Sequence, residues 1–257
     1  MRLLTLARDL RRRKARERQG LFVVEGVRAV EELLRSSLRV EGVLVAPGLA
    51  DAPRGAALRE QLEARGAPML DVSARDFASA ADTETPQGVL AIAAAPALSL
   101  DALVVPPAAR LLVLDGVQDP GNAGTLLRTA AALGALATLA LPGTVDLWNA
   151  KVVRSAMGAQ FHHPSLACTW EELDRFRSVH RVALWAADMG GAPLAVAVAA
   201  EEGPPARLAL AVGNEGNGLS AAARARAERL VSLPIAPAVE SLNVAVAAGI
   251  LLYELRA

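Results

Sequence analysis

Three stretches of the chain hold the residues whose types and spacing could do chemistry. The first is Leu111–Arg128, LLVLDGVQDPGNAGTLLR. An apolar run ends at Asp115, a polar turn with Pro120 and Gly121 follows, and a helix opens near Asn122. Ligands of open α/β sheets collect at the carboxyl ends of strands, and helix N-termini there favour anions. Arg128 lies six residues beyond Asn122 and reads as about two turns up on roughly the same side. The pattern fits equally an Asn122 that only caps a helix and an Arg128 that is a surface charge.

The second stretch is Leu208–Ser220, LALAVGNEGNGLS. A strand runs into Gly213, Gly216 and Gly218, whose small size allows a backbone-lined pocket with positive φ angles. Glu215 is then a carboxylate held in a glycine loop; the alternative is a plain turn with an exposed Glu. The third stretch is Leu230–Tyr253, where a short strand and a Pro-containing loop lead to Ser241-Leu242-Asn243 and a long apolar helix. Ser241 reads as the N-cap. A core helix accounts for Val244–Tyr253 but not for Asn243, a polar residue just inside it.

Other chemistries are disfavoured. The glycine spacing is G-x-x-G-x-G, not the G-x-G-x-x-G of a dinucleotide fold, and no G-x-x-x-x-G-K-[ST] occurs. The single cysteine, Cys168, excludes a disulfide framework and a multi-cysteine metal site, and it has no obvious activating base. His162 and His163 adjoin Pro164 without a partner cluster, so no metal is expected.

These stretches need a scaffold, and the chain supplies one. Its 257 residues are 53% apolar and 21% charged, a composition that excludes disorder and can bury a real core. Beyond a linker at residues 97–108, with Pro106 and Pro107, strands are expected at Arg110–Leu114, Leu136–Leu141, Arg181–Ala187, Arg207–Val212 and Leu230–Leu233. Helices are expected at Gly121–Leu133, Asp146–Met157, Ser220 to about Glu228, and Ser241–Leu255. Alternating strands and helices with near-continuous apolar strands predict a mostly parallel sheet covered on both faces. Residues 1–96 read as a smaller α/β unit: a helix over 2–18, strands at Leu21–Val24, Val40–Ala46 and Gly88–Ala95, and helices at Val27–Leu38 and Gly55–Arg65.

Charge is balanced overall, 27 basic against 27 acidic, but not locally. Residues 1–28 carry nine basic side chains against Asp9, Glu17 and Glu25, a local excess of +6. Arg11, Arg12, Arg13, Lys14 and Arg28 form a patch able to neutralise phosphates, or else a solvated basic helix. Aromatics are only 3%, so base stacking is not the main binding strategy expected. No apolar stretch approaches a membrane span of about 20 residues, and no secretion signal is read, so an intracellular, cytoplasmic protein is the expectation.

Taken in order, the three stretches resemble the SpoU/TrmH family of RNA 2′-O-ribose methyltransferases. Asp119-Pro120-Gly121-Asn122-Ala123-Gly124 with Arg128-Thr129-Ala130 is similar to the first family motif. Gly213-Asn214-Glu215-Gly216 with Gly218 is similar to the second, and Leu233-Pro234-Ile235 with Ser241-Leu242-Asn243-Val244 to the third. Asp146–Phe161 resembles the segment that follows the first motif. Phe22-Val23-Val24-Glu25-Gly26 and Pro86-Gln87-Gly88-Val89-Leu90-Ala91 resemble the small substrate-binding domain of many SpoU enzymes, whose fold is related to certain RNA-binding ribosomal proteins.

The resemblance implies a trefoil-knotted SPOUT methyltransferase domain at 109–257 behind an RNA-binding domain at 1–96, acting as a homodimer in which both subunits shape the active site. It implies S-adenosyl-L-methionine as cofactor and a ribose 2′-hydroxyl as acceptor, in ribosomal RNA by preference, with transfer RNA as the alternative. A non-catalytic RNA-binding protein on the same scaffold is the other class. Asn122, Arg128, Glu215 and Asn243 carry the catalytic roles by this likeness. Gly213, Asn214, Gly218, Leu233, Ile235, Ser241 and Leu242 line the cofactor pocket. The chain departs from the family pattern at Leu233, at Ala245 and at Pro237, where a glycine is common; Pro237 predicts a local difference in the cofactor loop.

Overall fold

In the computed structural model, which describes residues 2–256, the basic N-terminal stretch is not one helix but two, α1 (Arg2–Asp9) and α2 (Arg13–Gln19). The break falls where Leu10 buries itself and the Arg16 guanidinium turns inward, donating to the carbonyls of Leu10 at 2.8 Å and Arg11 at 2.9 Å. Then follow β1 (Leu21–Glu25), α3 (Val27–Arg35), β2 (Val40–Val45), α4 (Pro53–Ala64), β3 (Met69–Asp71), α5 (Ala74–Ala80) and β4 (Val89–Ala94). The four strands form one sheet in the order β1-β4-β2-β3, with only the β2–β3 pair parallel. Strand β3 and helix α5 were not foreseen. A three-residue strand shows no period, and seven residues barely make two helical turns.

The second sheet is built from β5 (Ala109–Asp115), β6 (Ala137–Ala140), β7 (Ser165–Ala167), β8 (Ala183–Pro193), β9 (Arg207–Gly213) and β10 (Arg229–Ser232). Every pairing in the order β10-β8-β9-β5-β6-β7 is parallel. All seven residues of β5 are buried, as a strand covered on both faces requires. The helices between the strands are α6 (Pro120–Ala132), α7 (Ala150–Ser155), α8 (Trp170–His180), α9 (Leu194–Ala200) and α10 (Ala221–Arg226), and α11 (Val244–Glu254) closes the chain. α8, which lies outside the expected helices, opens on a Thr169–Glu172 capping box.

The chain divides into two compact units: Met1–Ala97 with Trp148–His162, and Leu98–Leu147 with His163–Ala257. The stretch 148–162 lies inside the expected domain 109–257, yet it groups with the first unit. Its apolar side chains account for this. Val153 and Phe161 are buried in the cluster that holds Phe22, Leu33, Val43 and Leu58, and the rings of Phe22 and Trp148 lie 4.4 Å apart. Arg154 also pairs with Asp82 at 3.3 Å. The helix expected over Asp146–Met157 shortens to α7, which Asn149 caps by accepting from Lys151 N at 2.9 Å. No helix among the described residues is long and apolar enough to cross a membrane.

Candidate functional site

The site is built at the carboxyl edge of the second unit's sheet, where β5 and β9 end side by side. β9 runs into a loop that closes on itself. Asn214 and Gly218 exchange both backbone hydrogen bonds at 2.9 Å. Asn214 Oδ1 accepts from the amides of Gly216 (3.0 Å) and Asn217 (2.9 Å), and its Nδ2 donates to the Gly116 carbonyl at 2.9 Å. Two glycines are obligatory here. A Cβ on Gly213 would lie 2.3 Å from the carbonyl carbon of Gly218, and Gly218 itself has φ +66°. Buried Asp115, at the end of β5, fixes the far side of the loop by accepting from Ser220 N at 2.6 Å.

Glu215 projects from this loop to the start of α6. Its carboxylate accepts from the amides of Gln118 and Asp119 and from Asn122 Nδ2, each at 3.1 Å. Asn122 in turn accepts on Oδ1 from Asn243 Nδ2 at 2.9 Å. Asn122, Glu215 and Asn243 thus form one hydrogen-bonded row joining three segments. Partial burial pushes the Glu215 pKa up, but the bonds from Gln118, Asn122 and Asp119 outweigh it and hold the group below the usual carboxylate value. At neutral pH Glu215 is therefore an ionised acceptor, a brace rather than a proton donor.

The alternative of Asn122 as a cap is ruled out, and the expected cap at Ser241 is corrected. The residue capping α6 is Asp119, which accepts from Asn122 N at 2.7 Å, with Pro120 in the first turn. The residue capping α11 is Asn243, not Ser241: its Oδ1 accepts from Ala245 N (2.9 Å) and Val246 N (3.3 Å). The shift by two residues explains the polar residue that the apolar helix left unaccounted for. One end of Asn243 starts α11 and the other end reaches Asn122.

Beside this row lies a cavity of about 590 Å³, within the range of small-molecule and cofactor sites. Gly213, Asn214, Gly218, Leu233, Ile235, Ser241 and Leu242 all line it, together with Asn122, Glu215 and Asn243. Val212, Val231 and Leu251 in the lining are buried, whereas Glu215, Ser241 and Asn243 are exposed. A partly apolar, backbone-lined slot with the carboxylates of Asp188, Glu215 and Glu240 in its lining fits a flat nucleoside with a cationic centre. Pro237 is exposed and outside the lining, so the local difference expected there does not reach the cavity wall. Ala187, Asp188 and Met189 line the cavity too, and nothing in the sequence pattern had marked them.

Arg128 is the exception among the expected site residues. It is exposed on α6 and does not line the cavity. Six residues turn a helix through about 600°, so its side chain leaves α6 about 120° away from Asn122, not on the same side. Cys168 is buried, and burial followed by the nearby Glu172 pushes its thiol up to about 12, which makes it inert. His163 is also buried, pushed down to about 4, and shares a 2.8 Å hydrogen bond with Thr138. Among the described residues no cluster could hold a metal ion.

In the first unit, much of the basic patch is already partnered. Arg12 and Arg18 pair with Asp9, Arg13 with Glu17 at 2.7 Å, and Arg8 with Asp76 at 2.9 Å. Arg16 is buried. Arg11 donates only to the Ser79 carbonyl, at 3.4 Å, and it stays exposed with Lys14 and Arg28.

This fold is shared with SpoU methyltransferases of known structure. The SpoU methyltransferase AviRb from Streptomyces viridochromogenes, crystallised with AdoMet, superposes with a TM-score of 0.86 at 26% identity, over 98% of this chain and 96% of that one. An RNA 2′-O ribose methyltransferase superposes at 0.81 with 32% identity, over 98% and 94%. The chain belongs to the SpoU rRNA methylase family, whose model matches residues 109–253, and residues 5–91 match the MRM3-like substrate binding domain. The 23S rRNA (guanosine(2553)-2′-O)-methyltransferase RlmP of Bacillus subtilis is 36% identical over 250 residues, 97% of this chain and 94% of the relative.

Proposed function

We propose that this chain transfers a methyl group from S-adenosyl-L-methionine to a ribose 2′-hydroxyl of ribosomal RNA in the cytoplasm. The observation that carries the reading is the Asn243–Asn122–Glu215 row set against the glycine-lined cavity. When bound, the cofactor supplies a methyl group activated by a sulfonium charge. The chain's own task is to align the acceptor and keep water out, which contributes several kcal/mol to such reactions. Gly213, Asn214, Gly218, Leu233, Ile235, Ser241 and Leu242 enclose the cofactor. Glu215 braces the glycine loop against α6, and Asn122 and Asn243 hold the third motif to the first. Arg128 orients the ribose and stabilises charge developing on its 2′-oxygen, remaining protonated throughout. Arg11, Arg12, Arg13, Lys14 and Arg28 of the first unit meet RNA phosphates.

The reading includes a homodimer. Leu242, Val246, Ile250 and Tyr253 leave an exposed apolar stripe on and just before α11, at helical spacing. α6 packs against α11, with Gly249 so close to Thr129 that an added Cβ would lie 3.3 Å from its methyl group. Arg128 precedes Thr129 on α6 and is exposed. A second copy covering the stripe brings Arg128 toward the partner's cavity, which accounts for its absence from its own.

The test is transfer of labelled methyl from the cofactor to ribosomal RNA that lacks the modification, followed by nuclease digestion and mass spectrometry. A 2′-O-methylated nucleoside is expected. A methylated base, label only in transfer RNA, or no transfer would each overturn the proposal. Sedimentation should show a dimer, and Ile250→Asp should yield monomers without activity.

A further inference from the structure

The cavity has a wall that neither the motifs nor the hydrogen-bonded row explains. Strand β8 pairs with β10 in parallel, but the register jumps: Leu230 faces Ala186 and Val231 faces Ala192. One step along β10 thus spans six along β8, and residues 187–191 loop out of the ladder as a wide bulge. Such bulges re-aim side chains beside functional sites. Here Ala187, Asp188 and Met189 turn into the cavity lining, and Met189 stays 67% exposed.

The base of the bulge is welded to β10. A Cβ on Gly191 would lie 2.5 Å from the carbonyl carbon of Leu230, and the Gly191 carbonyl accepts from Ser232 Oγ at 2.9 Å. Its tip is held differently. Asp188 Oδ1 accepts from Gly190 N at 2.9 Å, while Oδ2 pairs with Arg224 on α10. The Asp188 side chain is only 12% exposed, although the Arg224 side chain is 44% exposed. Arg224 also reaches the glycine loop: its Nη2 lies 3.8 Å from where a Cβ of Gly218 would stand. One guanidinium therefore pairs with the bulge and stands beside the glycine loop.

We infer that Asp188 and Arg224 form a latch that holds the 187–191 bulge against the glycine loop, with Met189 as the outer wall retaining the cofactor. Both are positioning residues, acting through the bulge and Gly218, whereas Met189 makes the contact. The inference rests on the cofactor-binding reading proposed above and deepens it by assigning retention to residues outside the three motifs.

Calorimetric titration of the purified full chain with S-adenosyl-L-methionine, without RNA, tests it. Asp188→Asn keeps an acceptor for Gly190 N but removes the charge that Arg224 faces. Asp188→Asn and Arg224→Ala should each weaken binding about tenfold, and the double variant no further, because both break one interaction. Met189→Ser, an exposed position whose change leaves the core intact, should weaken binding several-fold. Amide exchange at residues 187–191 should quicken in both latch variants, while RNA affinity measured without cofactor stays at the wild-type value. Wild-type binding with all three variants within twofold of it would overturn the latch alone. Additive losses in the double variant would overturn the coupling between the two residues. A wild-type chain that binds no cofactor would instead remove the reading on which the latch rests.

Discussion

The two units hold their polar residues in opposite ways. In the first, charge is plentiful in the sequence and largely consumed in the structure: Asp9, Glu17 and Asp76 take up Arg8, Arg12, Arg13 and Arg18, and Arg16 turns inward. In the second, the site's polar residues are few and scattered, and the fold gathers them. Asn122 bonds to Glu215 across 93 residues and to Asn243 across 121. Counting charges therefore overstates the first unit's binding capacity. Counting motif residues understates the second unit's order, because each side chain there braces another segment as well as facing the cavity.

The sharpest way to break this contrast is at Arg128, the one expected catalytic residue with no role in the braced row. Arg128→Ala should lower methyl transfer by about 10³-fold, the scale of losing a group that stabilises a developing oxyanion. Titration should find cofactor affinity unchanged within twofold. Near-normal turnover would remove Arg128 from the reaction.

Acid should strike the second unit through His163. Its folded pKa of about 4 lies below the ordinary 6.5, so the unfolded chain binds the extra proton between those values. Stability is thus fully present above about pH 6.5 and is lost as pH falls toward 4, by about 3 kcal/mol. Denaturant titrations across that range should show the decline, and His163→Gln should flatten it. An unchanged slope in the variant would place acid sensitivity elsewhere.

Asn243→Ala should cost about 1 kcal/mol through the lost cap of α11. Asn243→Asp keeps the capping oxygen but loses the donor to Asn122, so it should restore the melting temperature without restoring activity. Equal recovery of both would make Asn243 a cap only.

The smallest effect belongs to the first unit. Arg11→Ala and Lys14→Ala should each weaken RNA binding about threefold and reduce the salt slope by about 1, whereas Arg13→Ala, whose guanidinium is held by Glu17, should change it less. Filter binding at several salt concentrations measures both quantities. Equal slopes for all three variants would show that ion pairing inside the unit does not ration its phosphate contacts.

The alternation of apolar strands with helices was legible in the sequence because it depends only on local periodicity and on Gly and Pro. Part of the cavity lining was legible as well: the spacing of Gly213 and Gly218 suggested a backbone-lined pocket, which both line, whereas Leu233 and Leu242, which line it too, were expected there only through the family resemblance. Helix ends were less so. Asp119 and Asn243, not Asn122 and Ser241, accept the free amides, and neighbouring polar residues compete for that role by fractions of a kcal/mol.

What the amino-acid order determined by itself is the list of elements and three chemically suited stretches in register with their strand ends. What only the tertiary structure decided is which distant residues meet. It sent Trp148, Val153 and Phe161 into the core of the first unit, joined Glu215 to Asn122 and Asn122 to Asn243, swung Arg128 away from the cavity, and looped 187–191 out of β8 to face it. The physical reason is common to all four. Periodicity is a property of neighbours along the chain, whereas burial, strand register and the satisfaction of polar atoms are settled only when segments far apart in sequence compete for the same space.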